Sequence, residues 1–241
     1  MRRTPADLER GEQVAGQLTF DDALSRPRLL DLFCGAGGAG EGYRRAGFDV
    51  VGVDREAHVY PPGEFVQADA LDVLADRAFL AGFDVVHASP PCQAFSSLRH
   101  RQAPGVHPEL VEPVRALLRA WGGIYVIENV PGAPLRNPLR LCGSEFDLWA
   151  DCADGRRRQL RRHRLFECEA FLMGANGCRH RGQPVGVYGN GGSGQQTRGY
   201  RASKREGSQA MGIDWMGTDD LSQAIPPAYT QFIGEQLRML L

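Results

Sequence analysis

Cys92 stands in this sequence where a nucleophile would stand. It follows Ser89-Pro90-Pro91 and precedes Gln93. Two prolines fix φ ahead of the cysteine and stiffen its loop. A thiol behind a buried strand is commonly an inert core residue. The surround here is instead polar and turn-forming, with Ser89, Gln93, Ser96 and Ser97. A carboxyl, Glu128, opens Glu128-Asn129-Val130 at the end of an apolar run. Buried parallel strands seldom end in Glu-Asn without a polar task, although Glu128 would also serve as a helix cap or an arginine partner. A thiol and a carboxyl on neighbouring strand ends supply a nucleophile and a general acid. Arg162 and Arg164 alternate with Phe166 and, if extended, share one face. From there they would reach a carboxylate, a phosphate or a base carbonyl.

A cofactor pocket is expected beside these groups. Arg28–Phe33 is a short apolar run that ends in Cys34-Gly-Ala-Gly-Gly-Ala-Gly40. A strand, a glycine turn and a helix over Glu41–Ala46 follow from that pattern. Glycine lets a backbone approach a ligand closely, so Gly35, Gly37, Gly38 and Gly40 form the candidate cradle. Asp54 ends the next run, about twenty residues on, as expected of an acid that grips ribose hydroxyls. Asp69 ends the one after. No pyrophosphate is required: an adenosine with a short charged tail suits these residues as well as a dinucleotide.

The elements that must position these groups alternate. Strands are expected at Arg28–Phe33, Asp49–Asp54, Glu64–Asp69, Phe83–Ala88 and Gly123–Val130, and a helix at Pro108–Ala120. Strands alternating with helices imply right-handed crossovers and a parallel sheet. The fold class is therefore α/β, a doubly wound, mostly parallel sheet with a small loop-rich second lobe. Residues 1–26 read as a polar tail, 27–166 as the catalytic, cofactor-binding domain and 167–220 as the small lobe. Residues 221–241 read as an amphipathic helix returning to the main domain, from apolar positions 229, 232, 233, 237 and 240. The Gly-, Arg- and Pro-rich texture already begins after Pro131.

Bulk properties narrow the class. The 241 residues carry 42% hydrophobic content, enough for a core, and a net charge of −1. No stretch is long and apolar enough to span a bilayer and no signal-peptide pattern opens the chain, so a cytoplasmic, non-membrane protein is expected. Cys152–Glu206 carries 12 basic and 4 acidic side chains, a balance of +8 against −9 elsewhere. A polyanion would meet that segment, although a basic run can also be only a solvated surface.

Taken in order, these motifs resemble the cytosine-5 DNA methyltransferase family. Asp31-Leu-Phe-Cys-Gly-Ala-Gly-Gly38 is similar to its cofactor motif, Pro91-Cys92 to its catalytic motif and Glu128-Asn129-Val130 to its glutamate motif. Each alone is weak and their joint occurrence is specific. The resemblance implies methyl transfer from S-adenosyl-L-methionine to carbon 5 of cytosine in a flipped-out base. Cys92 would be the nucleophile, Glu128 the group at ring nitrogen 3, and Arg164 with Arg162 the clamp on the base carbonyl. Phe33, Gly35, Ala36, Gly37, Gly38 and Pro91 would line the cofactor, with Asp54 at the ribose and Asp69 at the adenine. Double-stranded DNA is the implied partner, with no membrane and a monomeric chain, in a bacterial or phage-infected cell.

The sequence also departs from the family. Leu160 stands where the arginine motif usually carries Gln, with Gln159 one position off, and Ser222-Gln223-Ala224 replaces a Gly-Asn step. Only about 55 residues separate Phe166 from Leu221, so the target-recognition region is reduced. Cys152, His163, Cys168, Cys178 and His180 have zinc-ligand chemistry but no Cys-x-x-Cys pair, and no metal is assigned to them. The same chemistry on RNA or a nucleotide, a non-catalytic DNA-binding relative and a nicotinamide oxidoreductase are the competing readings. The last leaves Cys92 and Glu128 unexplained.

Overall fold

A computed structural model describes residues 26–91, 109–187 and 200–241. Five parallel strands form the frame: β1 (Arg28–Leu32), β2 (Asp49–Asp54), β3 (Glu64–Gln67), β4 (Val85–Ala88) and β5 (Ile124–Asn129). They run in the order β3-β2-β1-β4-β5. The crossovers between them carry α1 (Gly38–Arg45), α2 (Ala70–Ala75), α3 (Arg77–Leu80) and α4 (Val111–Trp121). Leu29, Leu30, Leu32, Val85, Val86, Val126 and Ile127 are fully buried. Both faces of the sheet are covered, as continuous Val, Ile and Leu runs demand. The expected doubly wound, mostly parallel α/β fold is what the chain adopts.

The sheet does not stop at β5. β6 (Leu139–Leu141) and β9 (Arg164–Cys168) extend it to seven strands in the order β3-β2-β1-β4-β5-β9-β6, with β9 antiparallel to both neighbours. The texture change after Pro131 therefore does not mark departure from the main sheet. These strands are short and carry arginines, so their apolar pattern is too brief to be seen.

A second cluster lies beyond them. It gathers Ala150, Cys152 and Leu160 with Val185, Val187, Ala210, Met211, Ile213, Met216 and Leu221. Its elements are the β7 (Trp149–Asp151) and β8 (Arg157–Gln159) hairpin, the β10 (Val185–Gly186) and β11 (Tyr200–Arg201) pair, α5 (Lys204–Met211) and α6 (Thr218–Gln223). The lobe thus draws on chain from both sides of β9. Glu206 braces it: in a capping box with Ser203 it also accepts the Ala153 N–H at 2.7 Å and the Tyr200 hydroxyl at 2.9 Å. These donors hold its carboxyl down at about 2.

The C-terminal helix α7 (Pro227–Arg238) lies on α1. Thr230 Oγ1 donates to Ala39 O at 2.8 Å, and Tyr229, Ile233 and Leu237 are fully buried. α1 opens at Gly38, before the expected Glu41. A Cβ on Gly38 would lie 2.6 Å from Ile225 O, and one on Gly40 would lie 2.0 Å from the Tyr60 hydroxyl. Their missing side chains are required by packing, which outweighs glycine's poor helix propensity.

β9 is anchored by a buried ion pair. Arg115 on α4, with its side chain 1% exposed, donates Nε and Nη2 to the two oxygens of Glu167 at 2.8 Å each. Arg136 N–H adds a bond to Glu167 at 2.7 Å and Pro134 O accepts from Arg115 at 2.7 Å. Removing one partner strands the other charge without water. Arg115→Ala is expected to cost about 3–5 kcal/mol in urea unfolding. A loss below about 1 kcal/mol, as for a surface pair, would show that β9 is not held this way.

Candidate active site

The polar groups collect at the carboxyl ends of β1, β2, β4 and β5, where ligands bind in doubly wound sheets. Phe33 follows β1 with φ 58°, and its ring packs on the core. Gly35 follows at φ 49°, and nothing lies within 4 Å of where its Cβ would be. Of the turn glycines, Gly35 therefore faces open space. Gly37 is the left-handed N-cap of α1. Ala36 O accepts the Trp215 indole N–H at 2.8 Å, tying the turn to the second lobe.

Asp54 ends β2 and holds the turn from below. Its Oδ2 accepts the Gly35 N–H and its Oδ1 the Glu56 N–H, each at 3.0 Å, while the side chain stays 21% exposed. Asp69 caps α2 through the Leu71 N–H at 2.8 Å, and its second oxygen lies 4.0 Å from Arg55 Nη1. An open glycine turn beside a partly exposed, fixed carboxylate fits an adenosine-bearing cofactor. Deeper still, Asp31 accepts the Tyr60 hydroxyl at 3.0 Å, and burial pushes its carboxyl up to about 7.

Glu128 ends the apolar part of β5 and is buried. Arg164 Nε, at the start of β9, lies 2.9 Å from Glu128 Oε1. Burial raises the Glu128 carboxyl above the usual range. Arg164, Arg162 and a hydrogen bond from Ser89 partly offset that rise. Arg162 takes a different direction from Arg164. Its guanidinium donates to the Val187 and Ser222 carbonyls, and its own carbonyl accepts the Tyr229 hydroxyl at 2.6 Å. The expected shared arginine face is therefore divided: Arg164 faces the acid and Arg162 clamps the lobe and α7.

Three further residues join the site. Asn129 Nδ2 donates to Pro90 O at 3.0 Å, so β5 grips the loop that leads through Pro91 to Cys92. Cys92 itself, with residues 93–108, lies outside the described residues, as do 1–25 and 188–199. Behind Glu128 runs a buried chain: Tyr43 OH to His87 Nδ1 at 3.0 Å, then His87 Nε2 to Ser89 Oγ at 2.8 Å. Burial lowers His87 to about 3, so its ring is neutral near pH 7 and has one N–H. An ionised carboxylate only accepts, so Ser89 donates to Glu128. His87 Nε2–H then donates to Ser89, and Tyr43 donates to Nδ1. The signal for His87 was a lone polar residue inside an apolar strand.

The strand order and the polar strand ends together define a class of protein, the Rossmann-like methyltransferase fold. The crystal structure of the S. pombe Dnmt2 methyltransferase shares this fold with a TM-score of 0.56 at 12% identity, over 90% of this chain and 99% of that one. Residues 27–137 match the model of the C-5 cytosine-specific DNA methylases. The type II methyltransferase M.AgeI of Thalassovita gelatinovora is 32% identical over 120 residues, 44% of this chain and 28% of that protein. The type II methyltransferase M.XorII of Xanthomonas oryzae pv. oryzae is 35% identical over 124 residues, 45% of this chain and 29% of that protein. The matched part of this chain thus spans less than a third of either relative.

The Glu128 carboxyl is the titrating centre of the site. Ser89→Ala removes a bond to its ionised form, so Glu128 should titrate still higher in carboxyl-carbon NMR. An unchanged or lower value would contradict the relay. Linkage has a definite sign here. A carboxyl raised on folding favours stability below its unfolded pKa and loses that contribution as pH rises through its folded pKa. Wild type should therefore lose stability relative to Glu128→Gln across that rise.

Proposed function

We propose that this chain transfers a methyl group from S-adenosyl-L-methionine to carbon 5 of cytosine in DNA through a covalent Cys92 adduct. The observation that carries the reading is the buried, raised Glu128 carboxyl, one strand from the loop that Asn129 grips. When bound, the cofactor supplies an electrophilic methyl group.

Cytosine carbon 5 is a poor nucleophile until the ring is activated. The Cys92 thiolate adds to carbon 6 while nitrogen 3 takes a proton from Glu128. The carbon 5–carbon 6 π pair then becomes available at carbon 5 and forms the bond to the incoming methyl, whose former sulfur bond breaks. Loss of the carbon-5 proton to solvent, expulsion of the thiolate and return of the nitrogen-3 proton to the Glu128 carboxylate restore the aromatic ring and the starting acid. A carboxyl with a raised pKa is suited to the proton step. Arg164 holds Glu128 in register and offers a donor to the base carbonyl beside it. Arg162 supports this arrangement by bracing the lobe.

On the cofactor side, Gly35 gives the open backbone approach, Ala36, Gly37 and Gly38 carry the turn into α1, and Phe33 and Pro91 line its edges. Asp54 would accept from the ribose, and the Asp69 oxygen not used in its helix cap would accept from the adenine amino group. The base must leave the stack to reach Glu128, so double-stranded DNA is the proposed substrate. The chain acts as a monomer in the cytoplasm of a bacterial or phage-infected cell. Among the described residues no helix is long and apolar enough to cross a membrane.

Bisulfite sequencing of DNA from cells expressing the chain tests the reaction. Cys92→Ser should abolish methylation yet leave cofactor binding in place by calorimetry. Methylation by that variant would sink the nucleophile assignment. Asp54→Ala should weaken cofactor binding about ten- to a hundredfold, the worth of hydrogen bonds to one charged group. An unchanged affinity would remove Asp54 from the pocket.

A further inference from the structure

We infer that Cys142, His163, Cys178 and His180 form a tetrahedral zinc site that fastens the arginine segment of the active site to the second lobe. The four side chains come from three separated stretches of chain. Cys142 follows β6, His163 lies between Arg162 and Arg164, and Cys178 and His180 sit together on the connection from β9 to β10.

Their donor atoms all lie within 4.8 Å of one another. Cys142 Sγ is 3.3 Å from His180 Nε2, and His163 Nε2 is 3.3 Å from Cys178 Sγ. Zinc bonds of about 2.3 Å to sulfur and about 2.0 Å to nitrogen set tetrahedral donor separations of roughly 3.3–3.8 Å. Two of the donor pairs, at 3.3 Å each, already have that spacing, and the rest lie within 4.8 Å. Two thiolates and two imidazoles with no carboxylate are a soft set, which selects zinc over magnesium or calcium.

A supporting shell is already built. Ser144 Oγ donates to Cys142 Sγ at 3.4 Å and accepts the Arg179 N–H at 3.2 Å. Gln159 brackets His180: its Nε2 donates to Arg179 O at 3.1 Å and its Oε1 accepts the Arg181 N–H at 3.2 Å. Such outer partners orient metal ligands. The site also gives the connection through Cys178 and His180 a reason to be ordered, since residues 169–184 have no helix or strand. By residue type, Cys152 and Cys168 group with His163, Cys178 and His180 in the sequence. Cys152 belongs instead to the second apolar cluster, Cys168 packs on the main core, and Cys142 takes the fourth position.

Metal analysis of the purified full chain tests this without reference to methyl transfer. About one zinc per chain is expected, as for a closed structural site. Cys178→Ser and His180→Asn should each lose most of it, and Cys152→Ser should keep it. Replacement by cobalt should give the visible absorption of a tetrahedral centre and a thiolate charge-transfer band that disappears in Cys142→Ser. If buried Cys142→Ser does not fold, the Cys178→Ser and His180→Asn variants decide the matter. Wild-type chain with no stoichiometric zinc overturns the assignment. So does zinc retained when both Cys178 and His180 are replaced, or a Cys142–Cys178 disulfide in its place.

Discussion

A carboxyl buried at the end of a parallel strand must be given partners, and the structure around Glu128 is organised by that need. Moving a bare carboxylate out of water costs several kcal/mol. Arg164, 2.9 Å away, and the Ser89 hydroxyl offset part of that cost and leave the acid raised but still able to ionise. Arg164 can be there only because β9 runs antiparallel to β5, with Phe166 opposite Glu128 in the register. β9 stays there because Glu167, one residue past Phe166, is paired with buried Arg115 on α4. Ser89 is aimed by His87 and Tyr43, which carry the constraint through β4 to α1. The acid, its cation and its hydroxyl partner are thus fixed by three different layers of the fold.

The cofactor side shows a comparable economy. Asp54 accepts the Gly35 N–H and keeps a partly exposed carboxylate beside the open turn, so the residue that shapes the turn also presents an acceptor there. The turn is fixed from the other side by Trp215 on Ala36, in the connection between α5 and α6. The second lobe therefore touches the chemistry through Ala36 and through Arg162, whose guanidinium reaches the Val187 and Ser222 carbonyls. The second lobe and the polar strand ends are mechanically joined at these two points.

What the sequence disclosed follows the range of the forces involved. The strands β1, β2, β4 and β5 were visible because double-sided burial writes continuous apolar runs, and their polar ends stood out against them. Asp54 and Glu128 stand out as candidates for that reason. β6 and β9 were not read as sheet strands, since three to five residues with arginines carry no usable period. The division of Arg162 from Arg164 was invisible because alternation describes a strand, and Arg162 lies just before β9 begins. The glycines were read as ligand approach, whereas Gly38 and Gly40 answer to Ile225 and Tyr60, far away in the chain. Cys142 was missed as a metal ligand for the same reason: its partners are 21 to 38 residues distant, and no local spacing announces them.

The central claim is that Cys92 attacks cytosine while Glu128 protonates the ring. The most direct measurement is to incubate the chain and S-adenosyl-L-methionine with duplex DNA containing fluorocytosine, in which fluorine blocks the final elimination. A denaturation-resistant protein–DNA complex that carries the transferred methyl, joined through Cys92 by peptide mass analysis and formed much more slowly in Glu128→Gln, is the predicted result. Methyl transfer to ordinary cytosine without such a complex, or a complex joined through another residue, would contradict the account.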